Sequence, residues 1–417
     1  MVIGRSLVQG ASSSSCVLIG DISSIGSGSD VAVGIGRNIT IGNSCTATLV
    51  QGYNNIVNDG SPNNTVIGQD SEIASANQTD IVILGHGDSV WGNGTSGTQF
   101  VAVLGSSITV GKVGGNSSLV QAVGAHITVG VSPLNVSCYG NAITVGDTSA
   151  DVVAIGDALT IAASVDNACV IGHSNSTDVS TSDLVIIGHT NSLTTVSGTP
   201  PTAVVCIGNA NTVSGPFIDH VVVQGSSNSV SGMNTSTIIG QSNTVVGGGS
   251  GLDVIIGDGN HIGTVTMVVV IGHNNTIPDS AGALVAIGNG CSIAPGLGGL
   301  GGIMIGAGAN LISAGGYAIA IGASASAGNN QCVIGHSDPA QQFQAMHRFI
   351  VRGLDVSTGP FTAIDTLNVN DNPLAGSTGL GIVYNSAGTF SNKTVNAAAV
   401  TGVTGIPNGS LVLYMNP

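Results

Sequence analysis

Hydrophobic residues along the chain fall in short blocks that close on a glycine. Examples are Val153-Ala154-Ile155-Gly156, Leu184-Val185-Ile186-Ile187-Gly188 and Val268-Val269-Val270-Ile271-Gly272. Five residues after the glycine a second apolar position recurs, as at Ile41, Val57, Val145, Ile161, Leu193 and Ile277. The position just before it is a Ser/Thr column, including Thr40, Thr109, Thr144, Thr160 and Thr276. Neither block is long enough or correctly spaced for a helical face. Short β-branched runs bounded by glycine and polar residues are the signature of strands. Each unit therefore reads as strand, glycine turn, short strand and variable loop.

The unit repeats. The closing glycines run from Gly4 through Gly156, Gly172, Gly188, Gly272, Gly288 and Gly322 to Gly335. Twenty steps cover 331 residues, a mean of 16.6, and ten of the steps are sixteen. Longer steps, such as Gly85 to Gly105, carry Gly/Ser/Thr-rich inserts like that at Gly94 to Gly97. Inserts at a constant phase are the loops of a solenoid. The prediction is an all-β parallel solenoid, or β-roll, of about twenty sixteen-residue rungs over residues 1–339, stacked about 4.8 Å apart. Composition shifts near residue 340, where Phe343, Phe349, Phe361 and Phe390 enter. Residues 340–417 are expected to form a small C-terminal β domain that caps the last rung and locks the assembly, as solenoid ends require.

Successive side chains of a strand point to opposite faces. The block before each glycine is apolar at successive positions, so both faces are greasy, the pattern of strands buried on both sides. One face fills the interior of the roll. The other would leave an apolar stripe larger than a soluble monomer tolerates. The expectation is a parallel homotrimer that hides it, since cyclic assemblies bury a repeated face on every subunit.

Asparagine recurs three residues past the glycine at Asn55, Asn175, Asn191, Asn211, Asn228, Asn243, Asn260 and Asn275. Other rungs place Ile39, Ile108, Ile127, Ile143 or Leu159 there, so the position is expected to point inward and the column to be structural. Turn chemistry accounts for the residue type, because Asn accepts the left-handed conformation. Stacked amides can also bond rung to rung.

Composition narrows the function. Charged residues are 6% of the chain and aromatics 3%, with a formal net charge of −15. That balance argues against nucleic acid, which demands a basic stripe, and against anionic membranes. The most apolar run, Val268 to Ile271, is far short of the roughly 20 residues of a membrane span, so no membrane insertion is expected. Met1-Val2-Ile3-Gly4 already reads as a rung, which predicts a chain without a signal peptide, made in a host cytoplasm. The seven cysteines show no CxxC pair and read as small reduced core thiols.

The segment Gly316-Tyr317-Ala318-Ile319-Ala320-Ile321-Gly322-Ala323-Ser324-Ala325-Ser326-Ala327-Gly328 resembles the head repeat of YadA-like trimeric adhesins, and Val285-Ala286-Ile287-Gly288 repeats the motif. The resemblance spans about residues 1–338. It implies a left-handed parallel β-roll, three chains and an adhesive role. The Asn-rich rungs and the inserts depart from that family, and its secretion signal, heptad stalk and membrane barrel have no counterpart in the pattern. The tail, Gly379-Leu380-Gly381-Ile382-Val383-Tyr384-Asn385-Ser386, is similar to a stretch common at the ends of bacteriophage fibres and spikes. Together these favour a virion tail-fibre or spike-like protein over a bacterial adhesin head, with other virion proteins and a host surface receptor, glycans included, as partners.

Little chemistry is expected, and no cofactor. His86, His173, His189, His273 and His336 each follow a rung glycine, without a recurrent carboxylate at ligand spacing. Gly248 to Ile255 matches one copy of a calcium nonapeptide, which needs tandem copies. Asp70, Asp88, Asp157 and Asp258 read as single turn residues, not the facing pair that glycoside hydrolysis requires. A polysaccharide-cleaving spike is therefore the weaker alternative, and the chain is read as non-catalytic. His347, Arg348 and Arg352 form a local basic cluster and are the candidate receptor or virion docking residues.

Overall fold

The computed structural model describes residues 1–92, 99–111, 118–177, 180–194, 201–215, 218–247, 252–279, 282–294, 301–312, 318–328 and 332–335, with four short segments at 380–383, 385–386, 389–390 and 412–415. All regular structure among them is β, and no helix occurs. Residue proximity divides the chain into Met1–Ala345 and Met346–Pro417.

The first unit is a parallel β-solenoid. Most rungs give one long strand ending just past the glycine and one short strand of two or three residues, for example Ala150–Asp157 followed by Thr160–Ile161. Long strands stack in a 21-stranded parallel sheet, and the short strands pair in a ribbon along the opposite side. Glycine stacks on glycine: Gly140 faces Gly156, Gly156 faces Gly172, and Gly172 faces Gly188. The twenty-residue step from Gly85 to Gly105 preserves this register, so its extra residues leave the stack undisturbed. The inserted residues 93–98 lie outside the described residues.

Register follows from alternation. Residues four and two before the glycine point inward, as Val152 and Ala154 do, or Leu184 and Ile186, all with no solvent exposure. Across the thin interior they meet residues three and five after the glycine, such as Ile143 and Val145, also buried. The result is one continuous core cluster along the stack. A one-residue slip would turn every inward side chain out, which is why a period-two pattern specifies pairing strongly.

Left-handed backbone recurs eight residues after the glycine, as at Ser132, Thr148 and Ser164, and at two further corners. One is the second residue after the glycine, for example Ser174 at φ +53° and Thr190 at +56°. The other is five residues before it, as at Asn167 (+51°) and Asp183 (+55°). The turn-chemistry explanation of the Asn column is thereby corrected. The left-handed residue is the neighbour preceding each Asn, often Ser, Thr or Ala, while the Asn side chain is turned into the core.

In the second unit, Leu380–Val383 pairs antiparallel with Val412–Met415, and Asn385–Ser386 with Thr389–Phe390. His347, Arg348, Arg352 and His336 lie outside the described residues.

Candidate functional site

The long-strand sheet turns two columns of side chains outward, three and one residues before each glycine. They hold Val153 and Ile155, Cys169 and Ile171, Val185 and Ile187, Val205 and Ile207, Val269 and Ile271, and Ile319 and Ile321. These side chains are exposed or half-buried; Ile155 keeps 40% of its surface and Leu104 49%. Gln51 and Gln224 interrupt the column next to the glycine and Gln121 the other, and the Tyr139 hydroxyl meets Gln121 Oε1 at 2.6 Å. Over 21 stacked strands the stripe is on the order of 100 Å long and two side chains wide. That exceeds the roughly 300–600 Å² of the largest apolar patch on a typical monomer. The short-strand ribbon presents the opposite character. Its outward column is Thr128, Thr144, Thr160, Ser176, Ser192, Thr212 and Ser229. One face of the coil is therefore greasy and the other hydroxylated.

Inside, Asn175, Asn191, Asn211, Asn228, Asn243, Asn260 and Asn275 stack on consecutive rungs with at most 1% exposure. Asn211 shows the unit of the ladder. Its backbone N and Nδ2 donate to Asn191 Oδ1 at 3.1 and 3.0 Å, and its Nδ2 also donates to Gly225 O at 2.8 Å. Its own Oδ1 accepts from Asn228 N and Nδ2 at 3.1 and 2.9 Å. The ladder ends where Cys291 N donates to Asn275 Oδ1 at 2.8 Å. Every amide is occupied by neighbouring rungs, so the column holds the stack together and leaves no atom for a ligand.

The residues just after the glycine line an exposed edge. His173 Nε2 lies 3.3 Å from Asp157 Oδ2, and the His173 ring stacks on His189 with centroids 4.8 Å apart. His189 Nδ1 in turn lies 3.1 Å from Asn209 Oδ1. His273 pairs with Asp258 and His86 with Asp70 at 3.4 and 3.6 Å. Such exposed pairs are screened by solvent and contribute little to stability. Among the described residues no three His, Cys, Asp or Glu side chains gather as a metal site. Arg5 forks onto Asp21 at 3.0 and 2.9 Å, which holds the Asp21 carboxyl below its ordinary range.

The thiols sort by the same alternation. Cys138 and Cys206, two residues before their glycines, are buried, and desolvation pushes both up to about 12. Cys169 and Cys332, three residues before, sit on the outward face, the first half-buried and the second exposed. All seven cysteines are free. Since the thiolate is the reactive form, Cys138 and Cys206 are expected to resist a neutral alkylating reagent until the chain unfolds. Mass spectrometry of labelled peptides with and without denaturant checks this.

No protein-family model matches this chain, and no curated protein matches it.

Proposed function

We propose that the chain is a structural and host-attachment fibre of a virus particle, non-catalytic, in which three parallel copies pack through the outward face of the long-strand sheet. The observation that carries the reading is the contrast between the faces. An apolar stripe of that length left in water would drive association, whereas the Ser/Thr face is suited to solvent. Identical stripes on parallel chains meet around an axis, and the resemblance of the rungs to trimeric adhesin heads sets the number at three. Cys169 and Cys332 would then be shielded between chains. The likeness of Gly379–Ser386 to bacteriophage fibre ends supports a virion over a cell surface. In this reading the C-terminal unit, with His347, Arg348 and Arg352, supplies docking to the receptor or to the particle.

Sedimentation of the full chain should give three times 40.7 kDa, and negative-stain images should show a rod. Replacing Ile171 and Ile187 with Glu places two charges per chain in the packed stripe, and a trimer should give way to monomer or to non-specific aggregate. In the intact fibre Cys169 and Cys332 should be protected from alkylation and become labelled on dissociation, before Cys138 and Cys206. A well-behaved monomer with both outward thiols freely reactive would remove the basis of the proposal. Receptor binding is checked by whether the purified fibre competes with particles for host cells.

A further inference from the structure

Among the described residues two carboxyl groups lie in the interior, each with one oxygen unaccounted for. Asp88 has no solvent exposure and Asp253 1%, and Oδ2 of each has no hydrogen-bond partner. We infer that Asp88 and Asp253 are un-ionised in the folded solenoid and act as hydrogen-bond donors in place of asparagine.

The argument comes from equivalent rungs. Asp88 stands three residues after Gly85, in the column of the Asn ladder. Its Oδ1 accepts from Ile108 N at 2.9 Å, as Asn175 Oδ1 accepts from Asn191 N at 2.9 Å. In the Asn rungs the second side-chain atom is a donor: Asn55 Nδ2 reaches Gly68 O and Asn175 Nδ2 reaches Gly188 O, both at 2.9 Å. In the Asp88 rung that place is taken by Oδ2, and the corresponding carbonyl belongs to Gly105. The two oxygens flank one point above Gly85, since a Cβ built there would lie 2.2 Å from Asp88 Oδ2 and 2.0 Å from Gly105 O. Oxygen facing oxygen repels when the carboxylate is charged, whereas a proton on Oδ2 restores the rung-to-rung bond.

Asp253 repeats the substitution in a different column, four residues before the glycine. There Asn64 Oδ1 accepts from Ile81 N at 2.9 Å, and its Nδ2 donates to Gln78 O at 2.9 Å and Ser61 O at 3.0 Å. Asp253 Oδ1 accepts from Val268 N at 2.8 Å in the same manner. Val265 is the counterpart of Gln78, seven residues before the following rung glycine, so its carbonyl is the acceptor a protonated Oδ2 would meet.

The surroundings agree. Burial raises the Asp88 carboxyl, outweighing the Ile108 amide, the exposed His86 side chain (itself paired with Asp70) and the His86 backbone amide. On the preceding rung Glu72 N donates to the Asp88 carbonyl at 2.8 Å, and the facing residues of the following rung, Ser106 to Ile108, carry no charge. Burial likewise raises Asp253, against the Val268 amide, and among the described residues no charged side chain acts on it. An isolated buried carboxylate is costly enough that neutralisation is the ordinary outcome.

The sign of the pH effect follows by linkage. In the unfolded chain these groups release their protons near the ordinary 3.8, while the folded chain retains them to higher pH. Their stabilising contribution is complete below the unfolded value and is lost as pH rises through the folded one. The shaft is thus favoured by mild acid at two of its rungs.

Infrared spectroscopy of the full chain at neutral pH should show the stretch of protonated carboxylic acid, and this band should vanish in the Asp88→Asn/Asp253→Asn double variant. Thermal unfolding followed from about pH 4 to about pH 8 should show the variant gaining on wild type as pH rises, with a higher Tm at the alkaline end. Absence of the acid band in wild type at neutral pH would overturn the inference even if the variant fails to fold. So would a double variant that folds yet tracks wild type across the whole range.

Discussion

Gly172→Ala is expected to sever the solenoid at one rung. A Cβ on Gly172 would lie 1.8 Å from Gly188 O and 3.0 Å from Asn175 Nδ2, and the backbone there is at φ +126°. The nearer obstacle is backbone, and the Asn175 amide is held in place by its bonds to Ile171 O and Gly188 O. The carbonyl belongs to the next strand of the parallel ladder and also accepts Asn175 Nδ2 at 2.9 Å. Relief requires the two rungs to part, which costs backbone and side-chain hydrogen bonds together, on the order of 4 kcal/mol or more. Because rungs interact only with their neighbours, the damage should be local, dividing the stack into two weakly coupled segments. Limited proteolysis should then cut near residue 172, and thermal unfolding should broaden or split. Gly290→Asn is the control. Its backbone is also left-handed, at φ +68°, but nothing lies within 4 Å of its Cβ position, and equivalent corners elsewhere carry Asn38, Asn54 and Asn274. That change is expected to shift stability by less than about 1 kcal/mol. If both substitutions behave alike, glycine is retained for its backbone torsion and not for the approach of the next rung.

This steric requirement explains why so much of the fold was readable. A glycine whose missing Cβ admits the next rung's carbonyl cannot drift from the repeat, so its spacing carries the register directly. The alternation of Leu184, Val185, Ile186 and Ile187 carries the two-faced strand in the same way. What spacing could not reveal was which positions turn the corner. The left-handed residues include Ser174, Thr190, Ile22, Val31 and Met267, with no common composition, because an exposed corner is imposed by the strands on either side. The Asn three places after the glycine was expected to point inward and does, yet its residue type was laid to turn chemistry that belongs to the residue before it. Asp88 was misread for a related reason. An isolated acid after a glycine has the composition of a turn, and only alignment with the Asn rungs places it inside. That signal was present, since Gly85 to Asp88 has the same spacing as Gly172 to Asn175. Asp253 and Asn64 carried a weaker one, four residues before their glycines, in a column that elsewhere holds Cys16, Ala32 and Thr48.

Asn211 permits the largest test of the interior ladder, and two replacements there are expected to differ in kind. Asn211→Leu fits a column that accepts Leu159 and Ile143 in other rungs, so volume is not the difficulty. It leaves Asn228 N without its acceptor and Gly225 O without the Asn211 amide donor. Unpaired buried groups cost about 1–3 kcal/mol each, which gives a loss of roughly 3 kcal/mol with little dependence on pH. Asn211→Asp preserves shape and the acceptor for Asn228, but turns the donor atom into an oxygen. That atom would face Asn191 Oδ1 and Gly225 O, which now accept from it at 3.0 and 2.8 Å. As a charged carboxylate it should cost more than the leucine at neutral pH, about 3–5 kcal/mol. As a neutral acid it can donate to one of the two oxygens and should recover much of the loss. The folded pKa of the introduced group would lie above its unfolded value, so its destabilisation should grow as pH rises and shrink toward acid. Urea unfolding of wild type and both variants at acidic and neutral pH separates the outcomes. Equal, pH-independent losses for leucine and aspartate would mean that the ladder contributes through packing alone, and the protonated role assigned to Asp88 would lose its closest analogue.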